Sequence, residues 1–177
     1  FISWNINGLA PSPATRAKLR FLRRIVKELR SVFILLQETH LSGPDTPFLL
    51  HSFFPSFLWF FLPSPSVGQQ GLAIGIRSSS LVPFSPVNFH PSCDSSSLAI
   101  SVHLSHFGPL SAVSSYFHPS SSAPSISLPS LSAFLRPLPH PIIWGGDLNL
   151  SASSPLFPDF QSLFSSLSSP ILVPPSP

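Results

Sequence analysis

The stretch Ile142-Ile143-Trp144-Gly145-Gly146-Asp147-Leu148-Asn149 decides how this sequence is interpreted. An apolar run typical of a buried strand ends in two glycines, which permit a turn and the close approach of a ligand. Because side chains alternate along an extended segment, Asp147 and Asn149 are predicted to project together from the carboxyl end of that strand. α/β sheets usually place their chemistry there. The chain has only six acidic residues, so Asp147 is a candidate functional residue; a plain polar turn is the alternative.

The composition is that of one globular domain with a serine and proline bias. The chain has 177 residues, enough for a sizeable core; 43% are hydrophobic and 8% are charged. Its 23 prolines exceed what a regular fold usually contains, so we expect the bias to fall in loops and in a tail. We predict that residues 1–150 form the domain and that residues 151–177 form a Ser/Pro-rich low-complexity tail.

Cysteine usage and hydropathy bear on the cellular compartment. A single cysteine, Cys93, excludes an internal disulfide framework and suits a reducing compartment. No signal peptide is visible, and the apolar residues 53–62 are interrupted by Pro55 and too few to span a membrane. We therefore expect a nuclear or cytoplasmic protein with no membrane partner. Methionine is absent, including at position 1, which we interpret as the sign of a fragment.

Basic residues are concentrated in one segment. Seven of the nine lysines and arginines lie within residues 16–30. Such a segment could attract phosphate backbones, although a solvated helix face is the commoner explanation for most of these side chains.

The order of apolar patterns predicts an α/β fold. Residues 1–5 form a strand, and Ser12-Pro13 then supplies an N-cap and a proline at the first helical position. The helix should run to about Arg30, and residues 32–36 should form a strand buried on both faces. The helix is predicted to face the sheet through Leu22, Ile25, Val26 and Leu29. Later elements are strands at residues 71–77, 98–104 and 110–116 and a helix around residues 130–135.

Polar side chains stand where several predicted strands end. Asn5 follows the first strand, Glu38 follows the buried second strand, Tyr116 ends a later one, and Asp147 and Asn149 end the last. Carboxylate and amide oxygens suit a hard cation such as Mg²⁺. A Mg²⁺ site beside a basic helix indicates phosphate-ester chemistry.

Five short motifs follow one another along the chain. They are Trp4-Asn5-Ile6-Asn7-Gly8-Leu9, Leu36-Gln37-Glu38-Thr39-His40-Leu41, Gly71-Leu72-Ala73-Ile74, Ser115-Tyr116-Phe117-His118-Pro119 and Gly145-Gly146-Asp147-Leu148-Asn149. In this order they resemble the endonuclease/exonuclease/phosphatase superfamily. Asn7 and the Thr39-His40 pair after Glu38 are most similar to the apurinic-endonuclease-type domain of LINE-like non-LTR retrotransposons.

The resemblance implies a fold, a cofactor and a partner. The fold would be an α/β two-sheet sandwich flanked by helices, with four layers in the order α/β/β/α and an incomplete second sheet. The reaction would be Mg²⁺-dependent cleavage of DNA, with Mn²⁺ as a substitute, in a polypeptide that also contains a reverse transcriptase. Glu38 would bind the metal, with Asn5 close by and Asn7 assisting through water.

The resemblance also implies catalytic roles. Asp147 would position or deprotonate the attacking water, and Asn149 would hold Asp147 and the phosphate. Tyr116 would orient the scissile phosphate, and Asn5 would belong to the same catalytic group. This chemistry agrees with general base catalysis assisted by a metal ion.

One departure puts activity in doubt. Family members end the domain with an Asp-His pair, whereas here no histidine follows Asp147, and the only later acid, Asp159, has a different context. We expect a truncated or degenerate copy that is inactive or nearly so, because losing one member of a catalytic group removes most of the rate. The alternatives are a phosphatase of the same superfamily that acts on a lipid or nucleotide, and a non-catalytic remnant with weak nucleic-acid binding.

Overall fold

The computed structural model describes residues 1–41, 46–63, 70–117, 128–139, 141–149 and 157–166. Its strands form two four-stranded sheets that pack face to face. Sheet A has the order β1-β2-β4-β3 and is built from β1 (Ile2–Asn5), β2 (Phe33–Gln37), β3 (Phe57–Leu62) and β4 (Leu72–Arg77). Sheet B has the order β5-β6-β7-β8 and is built from β5 (Asn88–Pro91), β6 (Ser97–Leu104), β7 (Gly108–Tyr116) and β8 (Ile142–Asp147).

Helices cover the outer face of each sheet. The helices α1 (Pro13–Glu28) and α2 (Thr46–Phe53) lie on sheet A, and α3 (Leu128–Leu135) and α4 (Phe157–Ser166) lie on sheet B. The predicted α/β/β/α sandwich is thereby confirmed. Among the described residues, no helix is long and apolar enough to cross a membrane.

The apolar run of β2 reflects its position between two layers. Ile34 and Leu36 point toward the helices, whereas Phe33 and Leu35 point toward sheet B. All four are almost completely buried. This is why the strand is continuously apolar rather than alternating.

Helix α1 begins as predicted and ends earlier. The Ser12 hydroxyl accepts a hydrogen bond from the Thr15 N–H at 3.0 Å, as expected of an N-cap. The helix ends at Glu28, and Leu29, its C-cap, is 64% exposed, so the predicted inward position of Leu29 was wrong. Leu29 follows the last helical residue, so the helical period no longer sets the direction of its side chain. The buried side of the helix is formed by Leu19, Leu22 and Val26.

Part of the predicted tail packs onto sheet B. Helix α4 lies within residues 151–177, and its Phe160 is buried with its ring centroid 5.4 Å from that of Trp144. Composition gave no sign of this helix, because its apolar residues are interspersed with the serines of the biased segment. The division at residue 150 remains a prediction.

Candidate active site

The carboxyl ends of four strands meet at one edge of the sandwich, called here the site edge. Each sheet contributes one parallel pair, β1 with β2 and β7 with β8. At the ends of these pairs, Asn5 lies opposite Gln37 and Tyr116 lies opposite Asp147. The two sheets are joined here by a hydrogen bond of 2.8 Å, which the Asn5 amide donates through Nδ2 to Asp147 Oδ2.

Hydrogen bonds hold the Asp147 carboxylate through both of its oxygens. Oδ2 accepts from Asn5, and Oδ1 accepts from the main-chain N–H of Asn149 at 3.2 Å. The Asn149 side chain turns back instead and donates to the Phe117 carbonyl at 2.6 Å. Strand alternation does not explain the proximity of Asp147 and Asn149, because β8 ends at Asp147 and Asn149 has a left-handed φ of 49°. The turn after the strand brings them together.

Glu38 and Tyr116 meet on the other side of the site. The Tyr116 side chain is 5% exposed, and its hydroxyl donates a hydrogen bond to the Glu38 carboxylate. Burial, this hydrogen bond and the charges of Glu38 and Asp147 all raise the pKa of Tyr116 well above its usual value of 10.0. The phenol is therefore protonated at neutral pH and can donate.

His40 contacts Glu38 as well. Its Nε2 lies 3.7 Å from Glu38 Oε2, and the two side chains are 25% and 19% exposed. On its other side the imidazole packs against Gly8, where an added Cβ would lie 3.1 Å from Nδ1. His40 therefore fills the space between the loop after β1 and the carboxylate of Glu38.

Four polar residues at the site have left-handed backbones. Asn7, Glu38, His40 and Asn149 have φ between 47° and 56°, which is uncommon for residues other than glycine. Main-chain hydrogen bonds between the loops hold this conformation, including one of 2.7 Å from the Gly8 N–H to the Glu38 carbonyl. The same conformation occurs at Arg30, Phe84 and Ser95, which lie elsewhere in the fold, so it does not by itself mark the site. No pattern in the sequence predicts it.

Asn7 lies at the margin of this group. Its side chain is exposed, and its main-chain N–H donates to Asn5 Oδ1 at 3.1 Å. Lys18 of α1 donates to the carbonyls of Ile6 and Asn7 at 2.7 and 3.0 Å, which fixes the turn that carries Asn7. Asn5, Glu38, Tyr116, Asp147 and Asn149 are brought together directly, whereas the Asn7 side chain stands beside them.

A buried polar contact below the site was not anticipated from the sequence. Gln37, which is 1% exposed, donates through Nε2 to Ser114 Oγ at 2.9 Å and to Ser3 Oγ at 3.2 Å. Ser114 in turn donates to the Leu36 carbonyl at 3.3 Å. These bonds connect the two sheets immediately beneath Glu38. In the sequence, only the position of Gln37 at the end of an apolar strand could have indicated this contact.

Gly145 permits the two sheets to approach each other here. A Cβ at this position would lie 2.6 Å from Ser3 Cβ and 2.9 Å from Leu35 Cδ1, closer than side chains pack. The sequence analysis assigned the glycines of this motif to a turn or a ligand. For Gly145 the requirement is instead close packing of β8 against β1 and β2.

The donors present fit a hard cation bound largely by water. Among the described residues, no group of three or more His, Cys, Asp or Glu side chains could hold a metal ion. Glu38 offers one partly exposed carboxylate, while Asn5 Oδ1 is already engaged by Asn7. Mg²⁺ commonly takes one or two carboxylates, keeps several waters and adds substrate phosphate. Glu38 therefore fits a Mg²⁺ of this kind.

The sandwich and its polar strand ends define a hydrolase fold of the nuclease and phosphatase type. The chain belongs to the Endonuclease/Exonuclease/phosphatase family, which it matches over residues 2–176. No curated protein matches the sequence significantly.

Solved structures share this fold at low sequence identity. ANGEL2, a 2′,3′-cyclic phosphatase, is similar with a TM-score of 0.66 and 16% identity, over 91% of this chain and 56% of that one. The AP endonuclease LMAP from Leishmania major has a TM-score of 0.62 and 17% identity, over 84% of this chain and 54% of that one. D. rerio TDP2 in complex with single strand DNA product has a TM-score of 0.58 and 20% identity, over 95% of this chain and 64% of that one. The chain thus spans a little over half of these structures.

Proposed function

We propose that this chain derives from the Mg²⁺-dependent DNA endonuclease domain of a LINE-like non-LTR retrotransposon, a type of domain that nicks target DNA by hydrolysing a phosphodiester. The main support is the hydrogen bond between Asn5 and Asp147, at the edge where Glu38 and Tyr116 also meet. The motifs containing Asn7 and the Thr39-His40 pair support the retrotransposon type.

In this proposal Asp147 orients and deprotonates the attacking water. Its carboxylate accepts hydrogen bonds from amide N–H groups of Asn5 and Asn149. Neither amide gives up its proton to the carboxylate. The carboxylate therefore remains an acceptor for the proton of the water. Asn149, which also donates to the Phe117 carbonyl, holds the turn in place.

Glu38 and Tyr116 act on the phosphate. Enzymes of this family generally use a divalent metal ion. Glu38, with Asn7 assisting through water, would hold Mg²⁺ or Mn²⁺, which would stabilise the charge that grows on the phosphate oxygens. Because Tyr116 stays protonated, its hydroxyl can turn from Glu38, once that carboxylate holds the metal, and donate to the phosphate instead.

The partners follow from the same proposal. The target is duplex DNA, and basic residues of the 16–30 segment add contacts to phosphates that do not depend on sequence. A reverse transcriptase would belong to the same parent polypeptide, and the protein would act in the nucleus or cytoplasm. This chain lacks a histidine after Asp147, so we expect the chain itself to nick DNA very slowly or not at all.

The first experiment is nicking of supercoiled plasmid with Mg²⁺ and with chelator, beside Glu38→Ala and Asp147→Ala. We expect almost no nicking by the folded chain, and measurable Mg²⁺-dependent nicking once a family-like C-terminal segment is added. Both substitutions should abolish that activity. Nicking by the unextended chain that both substitutions abolish would contradict the expected inactivity, and nicking that survives either substitution would contradict the assigned site.

Metal binding can be measured without activity, because Tyr116 is the only tyrosine in the chain. Mg²⁺ at Glu38 places positive charge next to the phenol and should shift its ultraviolet absorption band. Difference absorbance at neutral pH, where Mg²⁺ stays in solution, recorded with and without Mg²⁺ reports this shift. The shift should be absent in Glu38→Gln, and its persistence there would place the metal elsewhere.

A phosphatase is the second candidate, favoured by the similarity in fold to ANGEL2, a 2′,3′-cyclic phosphatase. The chain that carries the added C-terminal segment is tested side by side on plasmid, phospholipid and nucleotide substrates. These tests discriminate the endonuclease from the phosphatase. Release of phosphate without nicking would support the phosphatase. A non-catalytic remnant would show binding that salt abolishes and that does not depend on metal.

A further inference from the structure

Four basic residues stand in a line along α1, and we call them the basic stripe: Arg16, Arg20, Arg23 and Lys27. Their spacing of i, i+4, i+7 and i+11 places them within about 60° of the helix circumference, because the α-helix has 3.6 residues per turn. All four side chains are exposed. At 1.5 Å per residue the line is about 17 Å long.

The basic stripe does not stabilise the helix that carries it. Its members are like charges three or four residues apart, an arrangement that destabilises helices. The first turn holds no acid, and Arg16 stands near the positive end of the helix dipole. Within the part of the chain that the structure describes, the only ion pair on α1 joins Arg24 to Glu28 at 3.7 Å, beside the stripe. The stripe therefore presents uncompensated positive charge.

The stripe leads away from the site edge. Helix α1 begins just after β1, and Lys18 ties its first turns to the carbonyls of Ile6 and Asn7. The helix then crosses back to the start of β2, which lies parallel to β1. Lys27 therefore lies near the other end of the strands of sheet A, where β1 and β2 begin. A ligand that follows the whole stripe must leave the site.

We propose that the basic stripe binds the sugar-phosphate backbone of a single-stranded nucleic acid that runs from the site edge along α1. A linear row of exposed cations complements a linear polyanion. The apolar side of α1 is buried against the sheet, and Phe21, at 48% exposure, is the one large apolar side chain within the helix that stands exposed, which is too little to insert the helix into a membrane. Duplex DNA is stiff over about 150 bp, so a duplex held at the site edge as in the proposed function would contact the basic segment at its Arg16 end and could not turn to follow the helix. A single strand can turn and follow the helix.

The preference for a single strand over a duplex rests on the proposed function, which places the duplex at the site edge, whereas the binding of a polyanion by the stripe does not. Binding is therefore measured in chelator, where no nicking occurs. The probes are fluorescently labelled dT3, dT12, U12 and a 12-bp duplex, followed by anisotropy at several salt concentrations. At 3.4 Å per nucleotide, a helical strand covers the stripe with about five nucleotides.

We expect dT12 and U12 to bind comparably, and dT3, which is too short to reach all four cations, to bind much more weakly. Substitutions in the stripe should weaken binding of dT12 more than binding of the duplex. Four phosphate contacts give a slope of log K against log salt of about −3, which is a loss of about 60-fold between 50 and 200 mM salt. Arg20→Gln or Arg23→Gln should weaken binding of dT12 and reduce the steepness of the slope by about 0.7 each.

Arg136→Gln is the matched control, because it removes one exposed positive charge just after α3, on the other sheet. It should leave the affinity and the slope close to those of the unmodified chain. Equal effects of Arg136→Gln and Arg20→Gln would overturn the proposal, since binding would then follow net charge. Absence of dT12 binding at low salt, or tighter binding of the duplex that stripe substitutions abolish, would overturn it as well.

Discussion

Asn5 and Asp147 are separated by 142 residues and are joined by a hydrogen bond of 2.8 Å. Asn5 ends the first strand of one sheet, and Asp147 ends the last strand of the other. The bond therefore closes the sandwich at the edge where its polar residues gather. It also fixes the orientation of the carboxylate that we assign as the general base.

Substitution of Asn5 tests this connection. Asn5→Ala removes a charge-assisted hydrogen bond, and we expect the free energy of unfolding to fall by about 1–2 kcal/mol. Asn5→Asp should destabilise more at pH 7 and much less at pH 4, because two adjacent carboxylates cannot both ionise cheaply. Chemical denaturation at both pH values measures this. Asn88→Asp adds the same charge at an exposed strand start and should show no such pH dependence.

Tyr116 should titrate abnormally. Burial and the Glu38 carboxylate raise the pKa of Tyr116 in the folded state. Phenolate absorbance should therefore develop well above pH 10.0 in the folded chain, and the pKa should return to its ordinary value of 10.0 only when the chain unfolds. Glu38→Gln removes the neighbouring negative charge and should lower the pKa of Tyr116. An ordinary titration in the folded chain would refute the contact between the two side chains.

The same shift has a consequence for stability. A folded pKa above the unfolded one means that the unfolded chain releases the proton first as pH rises. The contribution of Tyr116 to stability is therefore complete below about pH 10 and is lost as pH climbs toward the folded pKa. Tyr116→Phe, which cannot ionise, should reduce the fall in the free energy of unfolding above pH 10.

We expect the buried amide of Gln37 to contribute to the stability of the fold. Gln37→Leu leaves the buried Ser114 hydroxyl and the Ser3 hydroxyl without their amide partner, and we expect a loss of about 1–3 kcal/mol in denaturant unfolding. Gln161→Leu makes the same exchange at an exposed position of α4 and should change stability little. A loss no larger than that of Gln161→Leu would contradict the role assigned to the polar contact.

Gly145→Ala should overpack the interface between the sheets. The new methyl group meets Ser3 and Leu35, so we expect a loss of about 1–3 kcal/mol, measured by thermal or denaturant unfolding. Ser3→Gly in the same chain removes the closest of these atoms and should recover part of the loss. Recovery equal to that given by Ser3→Ala, which keeps the clashing Cβ, would argue against a steric cause.

Local patterns in the sequence were sufficient for most of the elements. The apolar run before Glu38, the N-cap at Ser12 and the run before Asp147 each specify an element through side chains close together along the chain. The position of Leu29 was predicted wrongly because the 3.6-residue spacing of apolar residues continues past Glu28, the residue at which the helix ends. Helix α4 was missed because serine bias obscured its apolar residues.

The sequence by itself determined the strand ends and the polar residues that stand on them, because these depend on composition and short-range spacing, and its motifs carried the resemblance to the family. Only the tertiary structure decided that Asn5 meets Asp147, that Tyr116 meets Glu38, and that Gln37 bridges the sheets below them. Each of these contacts joins residues from different sheets. Packing of one sheet on the other fixes such distances, and neither alternation nor helical period contains that information.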